Sequence, residues 1–104
     1  MPKSYFVVRS TIDDASKRQA FDSWYQKVHF PDALRLFVPT RAWRCWSLAD
    51  ASVHEATYEF LDQESLIRAV DGDALKQLID DFNRDWPDVT RTREAFTLAE
   101  EVAA

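Results

Sequence analysis

The sequence predicts one α+β domain with the element order β-α-β-β-α-β, an antiparallel four-stranded sheet with two helices on one face. Three observations favour it: four short segments rich in β-branched and aromatic residues, two amphipathic segments with helical spacing, and one polar turn short enough for a hairpin. At 104 residues the chain has room for a single core, so residues 1–104 are expected to form one domain.

The first half of the chain is predicted to contain a strand and the first helix. The strand spans Ser4 to Ile12, and Asp13 or Asp14 behind it can cap the helix. We expect that helix to end near His29, because the residue before a proline avoids helical angles, and Pro31 then begins a short second turn. The apolar stripe of the helix follows from its spacing: Phe21, Trp24, Tyr25 and Val28.

The second half is predicted to contain a hairpin, two helical segments and a last strand. The turn Asp50-Ala51-Ser52 is short enough to join two antiparallel strands. A short helix should follow, broken near Gly72, and Asp73 can cap the next helix, which ends at Pro87. The predicted ranges are Ala42–Leu48 and His54–Asp62 for the hairpin, Gln63–Val70 for the short helix, and Thr90–Leu98 for the last strand.

Apolar residues occupy both predicted faces of the sheet. The first strand alternates Tyr5 and Val7 with Phe6 and Val8, and the second places Trp43 opposite Trp46. A sheet with one solvated face would alternate between apolar and polar residues instead. The simplest cover for the second face is a second copy of the chain, so we expect a homodimer that forms an α+β barrel.

Charge and composition exclude several classes of partner. The net charge is −5, which disfavours binding to nucleic acid. RNA binding stays open as an alternative, because a well-known RNA-binding module shares this element order. That module, however, needs a basic sheet. The lone Cys45, the lack of a signal-peptide pattern and the lack of a transmembrane-length apolar run predict a cytoplasmic protein without a membrane partner.

Three segments resemble the dimeric α+β barrel superfamily, most closely its EthD-like branch. They are WYQKVHFP (Trp24–Pro31), VPTRAWRCW (Val38–Trp46) and ATYEFLDQESL (Ala56–Leu66). That branch carries an aromatic-rich first helix ending in His-x-Pro and an arginine in the second strand. This chain departs from it near Thr40, where a glycine is usual. The resemblance implies a cavity between sheet and helices, and activities that range from cofactor-free oxygenation to lactone isomerisation, polyketide cyclisation or no known chemistry.

His29, Arg44 and Tyr58 are the candidate catalytic residues. His29 is a candidate acid/base that aligns with the His-x-Pro motif, and a helix C-terminus there would favour its charged form. Arg44 aligns with the strand arginine and could hold an anionic group, while a tyrosine such as Tyr58 could orient a polar atom. A purely structural role competes with each: a surface histidine, a core aromatic, or a cross-strand ion pair in which Arg9, Arg44 and Arg93 bind Glu55, Glu59 and Glu94.

Four further aromatic residues are candidate ligand-binding residues, although each could equally belong to the core: Trp24, Tyr25, Trp43 and Trp46. No three-ligand metal set is evident, haem ligation by His29 has weak support, and we expect no cofactor. The sequence thus favours a cofactor-independent monooxygenase, isomerase or cyclase acting on a small hydrophobic or aromatic molecule. The alternative is a non-enzymatic ligand-binding or regulatory homodimer.

Overall fold

One four-stranded antiparallel sheet organises the chain. The computed structural model describes residues 2–104. The strands are β1 (Ser4–Thr11), β2 (Arg41–Trp46), β3 (Val53–Phe60) and β4 (Thr90–Thr97). Their order across the sheet is β2-β3-β1-β4, and every neighbouring pair is antiparallel. The structure confirms the predicted α+β fold with its antiparallel four-stranded sheet, an arrangement known as ferredoxin-like, and the strand ends lie within two residues of those expected.

The first helical region is longer than the sequence predicted. A 3₁₀ turn, capped by Asp14 through a 3.0 Å bond from the Ser16 backbone N–H, leads into α1 (Arg18–Trp24). The chain then forms a π-helical segment (Tyr25–His29) and continues as α2 (Phe30–Phe37). The expected stop near His29 was therefore wrong. The Phe30 N–H donates to the Tyr25 carbonyl, five residues back, and this wider turn gives the ring of Pro31 room within a continuous helical path.

Two further helices complete the helical layer. They are α3 (Gln63–Val70), capped by Asp62 through a 2.8 Å bond from the Ser65 backbone N–H, and α4 (Asp73–Asp85). The residue that caps α4 is Gly72 rather than Asp73, which lies in the first turn, where its charge favours the helix N-terminus. No helix within residues 2–104 is long and apolar enough to span a membrane.

The two faces of the sheet differ in what covers them. The helices cover the face that carries Phe6, Val8, Tyr58 and Phe60, and these side chains form the core with Phe21 and Tyr25 from the first helical region. The opposite face carries Tyr5, Val7, Trp43 and Phe96, and no element within residues 2–104 packs on it. Trp43 is 37% exposed and Phe96 is 47% exposed. The open face also carries the ion pairs Arg9–Glu55 and Arg41–Glu59, so the predicted apolar character is present in full on the helix-covered face and only in part on the open one.

Candidate functional site

A small cavity lies between the helix-covered face of the sheet and helix α4. Its wall is mostly apolar and comes from β1, β3, β4 and the helices. Its volume is about 20 Å³, which is room for about one water molecule. The side chains that can take part in polar chemistry there are Tyr25, His29, Tyr58, Arg91 and Arg93.

Tyr25 and Tyr58 form a buried hydroxyl pair at the cavity wall. Their hydroxyl oxygens lie 3.4 Å apart, and both side chains are almost completely buried. Burial raises the pKa of Tyr25 to about 12 and raises the pKa of Tyr58 well above its ordinary value. Both hydroxyls therefore stay protonated. Since one donates to the other, the second hydrogen remains available to a bound molecule.

His29 reaches the same cavity from the π-helical segment. It is only 7% exposed, and neither ring nitrogen has a hydrogen-bond partner within residues 2–104. Its ring stacks on Trp24, with centroids 4.7 Å apart and planes 19° apart. Burial lowers the pKa of His29 to about 4, so the imidazole is neutral near pH 7. The expected effect of a helix C-terminus is absent because the helical path continues through this residue.

Arg44 lies in a second polar cluster, outside the cavity wall. Its Nη1 atom donates to Asp22 Oδ1 at 3.1 Å and lies 3.2 Å from His54 Nε2. A guanidinium has only donors, so Nε2 accepts and the proton of the neutral imidazole lies on Nδ1. Trp46 Nε1 donates to the same Asp22 oxygen at 2.9 Å. The guanidinium carbon of Arg44 lies 5.5 Å from the ring centre of Tyr25, which separates this cluster from the cavity.

The aromatic residues selected from the sequence are therefore divided among several places. Tyr25 lines the cavity itself. Trp24 lies behind His29 and is held by a 3.0 Å bond from its Nε1 to Asp85 Oδ2. Trp46 belongs to the Asp22 cluster, whereas Trp43 lies on the open face, 6.3 Å from Tyr5 between ring centres.

Arg91 was not selected from the sequence, and Arg93 was expected to pair with a strand glutamate. Both side chains line the cavity from β4. Glu55 pairs with Arg9 at 2.8 Å and Glu59 pairs with Arg41 at 3.0 Å, so Arg93 binds neither. The alternation in TRTREAFTL places both arginines on one face, which is the signal that could have identified them.

Comparisons with known proteins support the fold alone. No protein-family model and no curated protein matches the chain. Among solved structures, SnoaB, a cofactor-independent oxygenase from Streptomyces nogalater, is 16% identical, with a TM-score of 0.68 over 100% of both chains. An EthD family protein from Bacillus halodurans is 19% identical, with a TM-score of 0.64 over 98% of this chain and 100% of its own. A dimeric ferredoxin-like protein from an uncultured marine organism is 14% identical, with a TM-score of 0.66 over 98% of this chain and 100% of its own.

These similarities agree with the family resemblance seen in the sequence at the level of fold. The same chain path occurs in proteins with an oxygenase activity and in one described as a dimer. At such low identity, the fold does not carry an activity from one protein to another. The function of this chain has to be argued from its own cavity.

Proposed function

We propose that the cavity is the active site of a cofactor-independent enzyme that abstracts a proton from a small hydrophobic or aromatic molecule. The observation that carries the proposal is the neutral, buried His29, which has no internal hydrogen-bond partner and faces the same cavity as the Tyr25–Tyr58 hydroxyl pair. A free neutral imidazole accepts a proton, and a neutral hydroxyl stabilises the oxyanion that forms. Proton abstraction is common to oxygenation, isomerisation and cyclisation of enolisable aromatic ketones.

The roles follow from position and protonation. His29 takes the proton, and the imidazolium that results pairs with the negative charge on the substrate. The pair Tyr25–Tyr58 donates one hydrogen bond to the enolate oxygen, while Trp24 stacks on the imidazole and limits its rotation. Arg44 acts indirectly, because its guanidinium faces the ring of Tyr25 and so fixes the position of that ring. The fold shared with a cofactor-independent oxygenase supports this proposal.

The experiment follows proton exchange and oxygen uptake with an enolisable aromatic ketone such as anthrone. Without oxygen, NMR measures exchange of the acidic C–H with deuterium above the buffer rate; with oxygen, an electrode measures uptake. We expect His29→Gln to lower both rates by about 10²-fold or more. Lys27→Gln, on the exposed side of the same π-helical segment, is the matched control and should leave both rates unchanged. Full exchange in a folded His29→Gln variant would refute the proposed role.

One observation favours a second candidate, a ligand-binding homodimer without catalysis. General bases are commonly oriented by a hydrogen bond from another group, and His29 has none within residues 2–104. The same measurements separate the two candidates. Binding of the ketone without exchange above the buffer rate would favour the non-enzymatic function.

We also propose that the open face of the sheet binds a second copy of the chain. Its apolar residues Tyr5, Val7, Trp43 and Phe96 lie among the ion pairs Arg9–Glu55 and Arg41–Glu59, and exposed apolar residues such as Trp43 and Phe96 mark interaction sites. The shared fold with a dimeric protein supports the same association. Sedimentation should give about twice the 12.1 kDa of the chain, and Phe96→Glu should shift the mass to that of the monomer. A monomeric wild-type protein at micromolar concentration would refute the dimer.

A further inference from the structure

Two arginines at the cavity have no carboxylate partner within the part of the chain that the structure describes. Arg91 Nη2 donates to the amide oxygen of Asn83 at 2.9 Å, and its guanidinium carbon lies 3.9 Å from the ring centre of Phe82. Arg93 has no side-chain hydrogen bond or ion pair to residues 2–104. Of the seven other arginines, Arg18 donates to the backbone carbonyls of Ile12 and Asp13, and six pair with carboxylates: Arg9, Arg35, Arg41, Arg44, Arg68 and Arg84.

The missing partners are unusual for so acidic a protein. The chain has 18 acidic and 13 basic residues, so carboxylates are in excess. The nearest acid in sequence, Glu94, lies on the opposite face of β4, because side chains alternate along a strand. Across the sheet, Arg91 is paired in register with Ser10 and Arg93 with Val8, neither of which is charged. Two like charges therefore meet at an apolar cavity without neutralisation.

Arg91 and Arg93 project from the same face of β4 into the cavity wall, where both can reach one flat oxyanion. The Cα atoms of residues two apart on a strand are separated by about 6.6 Å, and both side chains point to the same side. An arginine presents a planar set of N–H donors that matches a carboxylate. The apolar wall from Phe6, Val8 and Leu78 suits an aromatic ring next to that anionic group.

We propose that Arg91 and Arg93 bind an anionic oxygen group, a carboxylate or an ionised hydroxyl, on an aromatic ligand of this cavity. The inference rests on the proposed function and names its substrate class: an aromatic anion. The ring lies against the apolar wall, the anionic group reaches the two arginines, and the reacting position faces His29 and the tyrosine pair. With a volume of about 20 Å³, the cavity accepts a ring only after side chains at its rim move, and the exposed Arg93 is the one least held by contacts.

The experiment compares two probes of the same shape, 2-naphthoate and its neutral amide, 2-naphthamide. Isothermal titration calorimetry on the full chain should show that the wild-type protein binds the acid roughly tenfold more tightly than the amide, as expected for charge-assisted contacts at a partly exposed site. The double variant Arg91→Gln/Arg93→Gln should lose this preference and keep its affinity for the amide.

Two further variants keep the test decisive. Arg93→Gln removes only the exposed arginine, which has no side-chain hydrogen bond or ion pair to lose, and should reduce the preference several-fold in a protein that folds normally. Arg68→Gln removes the same charge from an exposed pair on α3 and should leave the preference unchanged. Equal binding of acid and amide by the wild-type protein, binding of neither probe, or an unchanged preference in the double variant would overturn the inference.

The inference and the proposed function can fail separately. A preference for naphthoate that depends on Arg91 and Arg93 supports the anion site whatever the His29→Gln variant does to proton exchange. Conversely, exchange that depends on His29 combined with equal binding of acid and amide keeps the proposed enzyme and overturns the anion site.

Discussion

Lowering the pH from 7 to 5 should destabilise the folded chain through its two buried histidines. Burial lowers the pKa of both His29 and His54 from an ordinary value near 6.5 to about 4, and the Arg44 guanidinium adds to the effect on His54. Between these two values the unfolded chain binds a proton at each histidine while the folded chain does not. Stability is therefore lost as the pH falls from 6.5 towards 4.

The size of the effect follows from the two pKa values. A difference of 2.5 units corresponds to about 3 kcal/mol for each histidine once the pH is well below 4. At pH 5 the same linkage gives about 2 kcal/mol for each, or about 4 kcal/mol together. This is a large share of the 5–15 kcal/mol typical of a folded domain. Carboxyls with lowered pKa values, such as Asp22 and Glu59, lose their contribution only at lower pH.

The assay is equilibrium unfolding in urea at pH 7, 6 and 5, followed by tryptophan fluorescence at one fixed protein concentration. The wild-type free energy of unfolding should fall by about 4 kcal/mol between pH 7 and 5. His29→Gln and His54→Gln should each fall by about half as much, and the double variant should change little. A double variant with the wild-type pH dependence would refute the reasoning, because other groups would then cause the loss.

Two further predictions concern backbone strain and the ion pair of the partly buried Arg44. Val38 ends α2 with φ of 50° although its side chain is β-branched and 75% exposed, so Val38→Gly should raise the free energy of unfolding by about 1 kcal/mol in the same urea assay. A lower stability would show that this conformation carries no strain. Asp22→Ala leaves Arg44 and the Trp46 N–H without their shared acceptor and should cost about 1–3 kcal/mol, whereas Asp32→Ala, at an exposed pair, should cost under about 1 kcal/mol. Equal losses in the two variants would contradict the importance of the Asp22 cluster.

The strands could be predicted closely because their signals are local. Alternating β-branched and aromatic residues identify each strand, and polar turn residues identify its ends. The predicted ends of β1 and β4 therefore differ from the observed ends by only one residue. The end of the first helix could not be predicted in this way. The rule for the residue before Pro31 is local, whereas the π-helical turn brings Tyr25 and His29 into the core, and that packing depends on the sheet beneath.

The orientation of β2 also depends partly on local signals and partly on packing against the rest of the sheet. The sequence indicates that Trp43 and Trp46 lie on opposite faces, but apolar residues occur on both faces, so periodicity could not say which tryptophan faces the helices. The register with β3 decides it: Trp46 lies beside the buried His54, and Trp43 lies beside Thr57 on the open face. Arg44 follows Trp46 onto the helix-covered face, where Asp22 on α1 neutralises it.

The cavity itself follows from the composition of the edge strand β4. Where β1 and β3 direct Phe6, Val8 and Tyr58 towards the helices, β4 directs Arg91, Arg93 and Ala95. The methylene groups of the two arginines form part of the apolar wall, while their charged ends stay at the rim. Helix α4 therefore packs over a narrow space instead of a filled core. Since acidic residues are in excess, the composition alone predicts that Arg93 forms an ion pair with a glutamate. Because side chains alternate along a strand, Glu94 points to the open face of the sheet and cannot neutralise Arg93. The rim of the cavity is cationic for this reason.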